Sequence, residues 1–76
     1  TIIARGEPIF VSSNQPASNK LNYQLIDITG RVMQQSNLQT NGVNLISMNS
    51  QLSKGLYYLI IRNDKGFEEK WPITIQ

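Results

Sequence analysis

The clearest pattern of apolar and polar positions lies at the end of the chain, over residues 67–76. The apolar set on one parity is Phe67, Trp71, Ile73 and Ile75, and the polar set on the other is Glu68, Lys70, Thr74 and Gln76. Glu69 alone interrupts the apolar set. A period of two with one apolar face predicts a half-buried β-strand whose Trp71 ring packs inward with its apolar neighbours. Pro72 has no N–H to donate to a neighbouring strand, so it indicates a sheet edge or a bulge.

A second stretch, residues 56–61, is apolar on both parities and rich in aromatic and β-branched side chains. Strands of this kind are covered on both faces or nearly so, which predicts a central position in a sheet. Residues 63–66 read Asn-Asp-Lys-Gly, a tight-turn sequence in which Gly66 would supply a positive φ. The end of the chain is therefore predicted to be a β-hairpin.

Another hairpin is predicted around Asp27. Residues 21–27 alternate apolar and polar side chains, residues 27–30 read Asp-Ile-Thr-Gly, and residues 31–35 begin a return strand. Asp first and Gly last is the order that a type I turn with a left-handed exit prefers. We expect Asp27 to cap its own turn and Gly30 to be required by the backbone.

Three further short strands are predicted, at residues 1–4, 9–11 and 43–48, with a polar loop over residues 12–19 and a turn over residues 40–42. No segment shows a helical period. Six or seven strands at a spacing of roughly 8–12 residues are typical of two packed sheets. The predicted fold is all-β, an immunoglobulin-like antiparallel β-sandwich that occupies the whole chain as a single domain.

Composition excludes several function classes. The chain has 76 residues, no cysteine and no histidine, and a formal net charge of +2. Its basic residues are scattered singly, whereas nucleic-acid binders concentrate them in a stripe, so no nucleic-acid partner is expected. No apolar run approaches the roughly 18 residues of a membrane span, so no membrane insertion is expected. The chain begins on Thr1 and shows no signal peptide, and we expect it to be a piece of a longer protein.

Candidate chemistry is sparse. Without histidine no serine has the usual general base, and Glu68 and Glu69 are neighbours that point to opposite faces of a strand, so no enzyme activity is expected. The five acidic residues do not form a calcium-loop pattern, and no cofactor is expected. Exposed aromatic rings can bind sugars, and Tyr58 is the best candidate, but a single ring does not make a carbohydrate site.

Four short motifs occur in order along residues 14–76. They are Asn14-x-Pro16, Asp27-x-x-Gly30, Leu52-x-x-Gly55-x-Tyr57 and Lys70 in the last strand. This order resembles the type A C-terminal sorting domains of proteins that Bacteroidetes export by the type IX (Por) secretion system. Trp71 and Pro72 depart from the family pattern, since they stand in place of its second lysine and the residue beside it.

The resemblance implies the C-terminal domain of a longer secreted protein, a sorting signal that directs an attached cargo through the outer membrane by protein–protein recognition. The implied partners are the translocon, shuttle and sortase components, and the implied route is periplasmic transit followed by the cell surface or secretion. Two alternatives remain open. One is an immunoglobulin-like spacer or adhesion module, with or without sugar binding, and the other is a sorting-type domain retained uncleaved on a secretion component.

The motif residues also have an explanation in the fold alone. Tyr57 shares its parity with Leu59 and Ile61 and is expected to anchor a core face, and Gly55 is expected to serve the backbone. On this view the folded domain as a whole is the signal, and its final hairpin offers a strand edge to a partner.

Overall fold

The computed structural model describes residues 2–3, 6–14, 16, 20–49 and 51–76. Within these residues the chain forms seven strands and no helix. The strands are β1 (Ile2–Ile3), β2 (Ile9–Asn14), β3 (Leu21–Asp27), β4 (Val32–Leu38), β5 (Asn41–Ile46), β6 (Gly55–Arg62) and β7 (Glu68–Ile75). The all-β fold class is confirmed. Residues 1 and 4 of the predicted first strand, and residues 15 and 17–19 of the predicted loop, lie outside the described residues.

The strands form two sheets that pack together as a small β-sandwich. The larger sheet has the order β1-β7-β6-β3-β4, and the smaller one consists of β2 and β5. Every pair is antiparallel except β1 with β7, which run parallel through two residue pairs. The predicted central position of residues 56–61 is confirmed, because β6 lies between β3 and β7.

The core lies between the sheets and comes mostly from the larger one. Its buried side chains are Leu21, Tyr23, Leu25, Ile46, Met48, Leu52, Tyr57, Leu59, Ile61, Ile73 and Ile75. Ile9 and Val11 of β2 pack against this cluster, and Ile46 enters it from β5. Alternation along β3 places Leu21, Tyr23 and Leu25 inward and Asn22, Gln24 and Ile26 on the other face, which is why this strand can cover a core with one face.

The chain passes from the larger sheet to the smaller one at Gln39, where Asn44 holds the backbone. The Gln39 N–H donates to Asn44 Oδ1 at 2.7 Å, and Asn44 Nδ2 donates to the Gln39 carbonyl at 2.9 Å. Ser13 Oγ donates to the same carbonyl at 2.9 Å. Asn44 is buried and its amide satisfies the backbone groups that a change of sheet leaves without ladder partners.

The inward packing predicted for Trp71 and Phe67 is wrong. Trp71 is 50 % exposed and Phe67 37 %, whereas Ile73 is 2 % exposed. Trp71 and Ile73 occupy the same face of β7, since they pair with Leu59 and Tyr57 of the core. The smaller sheet has two strands, and a groove separates its strand β2 from the first half of β7. Glu69 on the apolar parity was the signal in the sequence that this half lies open.

Pro72 lies in β7, where it pairs with Tyr58 of β6. The order of the larger sheet places β1 outside β7, so β7 is not the edge strand that the sequence predicted. β1 is short, and its two described pairs with β7 are at Thr74 and Ile75. Pro72 therefore stands near the margin of the sheet, where a residue without an N–H is tolerated.

Candidate functional site

Asp27 holds the turn between β3 and β4 with its own carboxylate. Asp27 Oδ1 accepts hydrogen bonds from Thr29 Oγ1 at 2.6 Å, from the Thr29 N–H at 2.9 Å and from the Arg31 N–H at 3.0 Å. The Thr29 hydroxyl is the main cause that lowers the pKa of Asp27, and the two backbone N–H groups and the charge of Arg31 act in the same direction, against a smaller effect of burial. Gly30 completes the turn at a φ of 89°. The capping role predicted for Asp27 is confirmed.

Leu52, Gly55 and Tyr57 lead the chain into the central strand. Leu52 and Tyr57 are buried in the core, and the Tyr57 hydroxyl donates to the Ser53 carbonyl at 2.7 Å. Gly55 has a φ of 142°, a region that side chains avoid. The hydroxyl bond fixes the loop to the strand that it enters, and the core position predicted for Tyr57 is confirmed.

The two central motifs meet at one end of the larger sheet. Asp27 pairs with Tyr57 across β3 and β6, and Tyr57 pairs in turn with Ile73 of β7. Gly55 lies opposite Ile75. Five of the eight motif residues, from Asp27 to Tyr57, therefore shape one end of the sandwich, and they do so through turns and core contacts.

The other three motif residues lie elsewhere. Asn14 ends β2 and pairs with Asn41, and Pro16 is exposed just beyond it. Lys70 lies on the outer face of the larger sheet, with its Nζ 4.5 Å from the centre of the Tyr58 ring. Tyr58 is half-buried beneath this ammonium group. The motifs therefore do not converge on one site.

The open half of β7 borders a groove between the two sheets. The groove has a volume of about 270 Å³. Its lining residues include Ile9, Phe10, Val11, Leu59, Glu69 and Trp71. The indole Nε1 of Trp71 donates to Glu69 Oε2 at 3.0 Å, so the ring and the carboxylate are held together at the mouth of the groove. The groove is therefore an exposed apolar surface of the domain.

Sequence reasoning missed two polar residues that tie these elements together. Gln34 Nε2 donates to the Tyr23 hydroxyl at 2.8 Å and to the Ser47 carbonyl at 2.7 Å, which joins β4 to the segment after β5. Asn63 Oδ1 accepts from the N–H groups of Lys65 and Phe67, so that Asn63, and not Asp64, caps the last turn. Asn63 and Gly66 repeat the spacing of Asp27 and Gly30. This repeated spacing was the signal in the sequence that pointed to Asn63.

The described part of the chain has neither a cluster of metal ligands nor a membrane-spanning helix. There, no three acidic side chains are grouped so that they could hold a metal ion. None of the same residues forms a helix long and apolar enough to cross a membrane.

Comparison with known families decides the relationship. The family model for the secretion system C-terminal sorting domain (Por_Secre_tail) matches residues 7–75, which include β2 to β7 and leave out β1. The chain belongs to this family of type IX sorting domains. No curated protein matches the chain. The family is one of sorting signals and is not known as catalytic, and such a signal implies export to the cell surface or secretion.

Proposed function

We propose that this sorting domain directs an attached cargo protein across the outer membrane through protein–protein recognition by the type IX machinery. The match over residues 7–75 carries the proposal, because it covers nearly the whole domain. The cargo would pass through the periplasm and end at the cell surface or in the medium. The translocon with its shuttle would recognise the folded domain, and the sortase would act on it afterwards.

The motif residues support recognition of the folded shape. Asp27, Gly30 and Tyr57 use their polar groups or backbone angles within the domain, and Leu52 is buried. Residues engaged in this way contribute to export by keeping the fold. The surface left for a partner is the groove beside β7, where the apolar side chains of Trp71 and Phe10 are exposed.

The proposal is tested by asking whether the domain causes a fused reporter protein to be exported. The domain is fused to the C-terminus of a monomeric reporter that carries a periplasmic signal peptide, in a Bacteroidetes host with a working type IX system. We expect the reporter at the cell surface or in the medium with the intact domain, and in the periplasm when residues 68–76 are deleted. A host strain without the translocon should retain both fusions.

Controls separate a lost fold from a lost signal. Lys70→Ala removes the charge on the outer face and leaves the groove side intact, so export should continue and melting should change little. If the intact fusion stays in the periplasm while the host's own cargo is exported, the sorting proposal fails and the spacer reading replaces it.

A further inference from the structure

The two strands of the smaller sheet come from stretches of the chain that carry no charge. Residues 8–19 and 32–53 contain no Asp, Glu, Lys or Arg, and the seven basic and five acidic residues all lie outside these two stretches. Strand β2 lies within the first stretch and β5 within the second. The smaller sheet therefore has no charged side chain of its own, whereas β3, β6 and β7 of the larger sheet all carry charges.

The outer face of the smaller sheet is apolar at its centre. Ile9 and Val11 of β2 pack against the core, so the residues that alternate with them point away from it. On this outer face Phe10 pairs with Leu45, and Val43 precedes Leu45 by two residues on β5. Phe10 is 69 % exposed, Val43 64 % and Leu45 58 %. Three large apolar side chains thus lie together on one exposed face, and such a patch marks a site of association.

Uncharged polar residues surround this apolar centre towards one end of the sheet. Ser12 pairs with Val43, and Asn14 pairs with Asn41, all on the outer face. The three polar side chains are exposed. An apolar centre with a polar rim is the usual arrangement of a protein interface. Because the face offers no charge for an ion pair, it is complementary to another apolar surface without charge.

A second copy of the chain carries such a surface. In a two-fold contact the same patch of both copies meets, so a charged patch would oppose like charges. The chain has a net charge of +2, and its charged residues lie outside both strands of the smaller sheet. Two copies can therefore bring their smaller sheets together without placing charged strand residues against each other. The outer faces would then pack about 10 Å apart, as the sheets of a sandwich do.

We propose that the outer face of the smaller sheet, formed by Phe10, Val43 and Leu45, is a self-association surface on which a second copy of this chain packs face to face. The strands are six residues long, so the face spans only about 20 Å. The contact is therefore smaller than a standard interface and the dimer is weak, with a dissociation constant of about 0.1–1 mM. The inference goes beyond the proposed function and does not depend on it.

The association is measured on the purified 76-residue chain at concentrations from about 0.02 to 2 mM, which bracket the expected dissociation constant. Translational diffusion measured by NMR reports the size of the particle, and backbone amide shifts report the site. We expect diffusion to slow as the concentration rises, with concentration-dependent shifts in β2 and β5 and not in β7. The association should persist at about 0.5 M NaCl, because no ion pair holds the contact.

Two exposed valines give a matched pair of variants. Val43→Lys places a charge in the centre of the contact and should weaken self-association about tenfold or more. Val32→Lys adds the same charge at an exposed valine of the larger sheet and should change the dissociation constant less than about twofold. Circular dichroism checks that both variants fold. If Val43→Lys does not fold, Val43→Thr replaces it and should weaken the association about two- to fivefold.

Opposite charges at the same position test whether the face meets its own copy. Val43→Glu alone should weaken self-association as Val43→Lys does. In a two-fold contact the two introduced charges lie close together, so at low salt an equal mixture of these variants should associate about fivefold or more tightly than either alone. A contact between this face and a different part of the second copy would give no such gain.

Three results would overturn the proposal. The first is diffusion that does not depend on concentration up to about 2 mM. The second is equal weakening by Val32→Lys and Val43→Lys, since repulsion between whole molecules would then explain the loss. The third is a chain that stays monomeric but binds phosphatidylcholine vesicles unless Val43 is replaced by lysine, which would assign the face to lipid. Each result holds whether or not the reporter fusion is exported.

Discussion

Asp27 and Asn63 hold two turns of the same construction with different chemistry. Each side chain accepts hydrogen bonds from the N–H groups two and four residues further on, and each turn has a glycine of positive φ at its fourth position. An amide and a carboxylate thus stabilise the same turn geometry. They differ in that Asp27 titrates and Asn63 does not.

That difference predicts a pH dependence located at Asp27. Its pKa is lower in the folded chain than the ordinary value of 3.8, chiefly because the Thr29 hydroxyl bonds the carboxylate. The stability from this group is therefore fully present above the unfolded pKa and is lost as the pH falls through the folded pKa. We expect the melting temperature of the parent to exceed that of Asp27→Asn at about pH 6. The difference between the two melting temperatures should disappear towards about pH 2. A difference that stays constant in thermal melts across this range would contradict the assignment.

Gly55 provides a test of backbone strain without steric conflict. A Cβ added there meets no heavy atom within 4 Å, and the φ of 142° is one that only glycine adopts easily. We expect Gly55→Ala to lower the free energy of unfolding by about 1–3 kcal/mol, measured by denaturant titration. Ser53→Ala leaves the carbonyl that Tyr57 bonds and should change stability by less than about 0.5 kcal/mol. Equal losses in the two variants would rule out strain as the cause.

Strand β7 is buried in its second half and open in its first, and this division is the main feature at the scale of elements. The sequence predicts both hairpins because their turn signals are local: Asp27-x-x-Gly30 and Asn63 to Gly66 lie within a few residues of each other. It does not predict that β5 leaves the larger sheet to pair with β2, since that depends on contacts between residues far apart in the chain. The exposure of Trp71 follows from this pairing and could not be read from alternation alone.

The different burial of the two halves of β7 predicts which of two variants loses more stability. Ile73→Ala removes a side chain that is 2 % exposed, and we expect a loss of about 2–5 kcal/mol. Trp71→Ala removes a larger side chain from a half-open position and should cost less, about 1–2 kcal/mol. Circular dichroism during urea unfolding measures both variants. A larger loss for Trp71→Ala would mean that the groove is closed in the free domain.

At the scale of the whole molecule, the family match covers residues 7–75 and the strand β1 lies before it. β1 has two residues paired with β7, and Ile2 is exposed. Among the described residues, the core cluster lies within the matched segment. We therefore expect the matched segment to fold without the first six residues.

A chain restricted to residues 7–76 tests this division. We expect it to keep its β-sheet circular dichroism and cooperative unfolding, and to lose about 1–2 kcal/mol because the paired β1 residues are removed. An unfolded product would show instead that β1 is integral to the domain.

The pairing of β3 with β6 has a consequence for the order of events during synthesis. The larger sheet cannot assemble until Gly55 to Arg62 has left the ribosome, because β6 is the strand that joins β3 to β7. The β3–β4 hairpin is local and can form earlier, but the pairing of β3 with β6 must close the longer loop between them. A chain cut short before β6 lacks the whole central strand and cannot present the folded domain. On the proposed function, the cargo therefore acquires its export signal only after translation has passed β6. Products truncated before β6 lack the folded domain and are not exported.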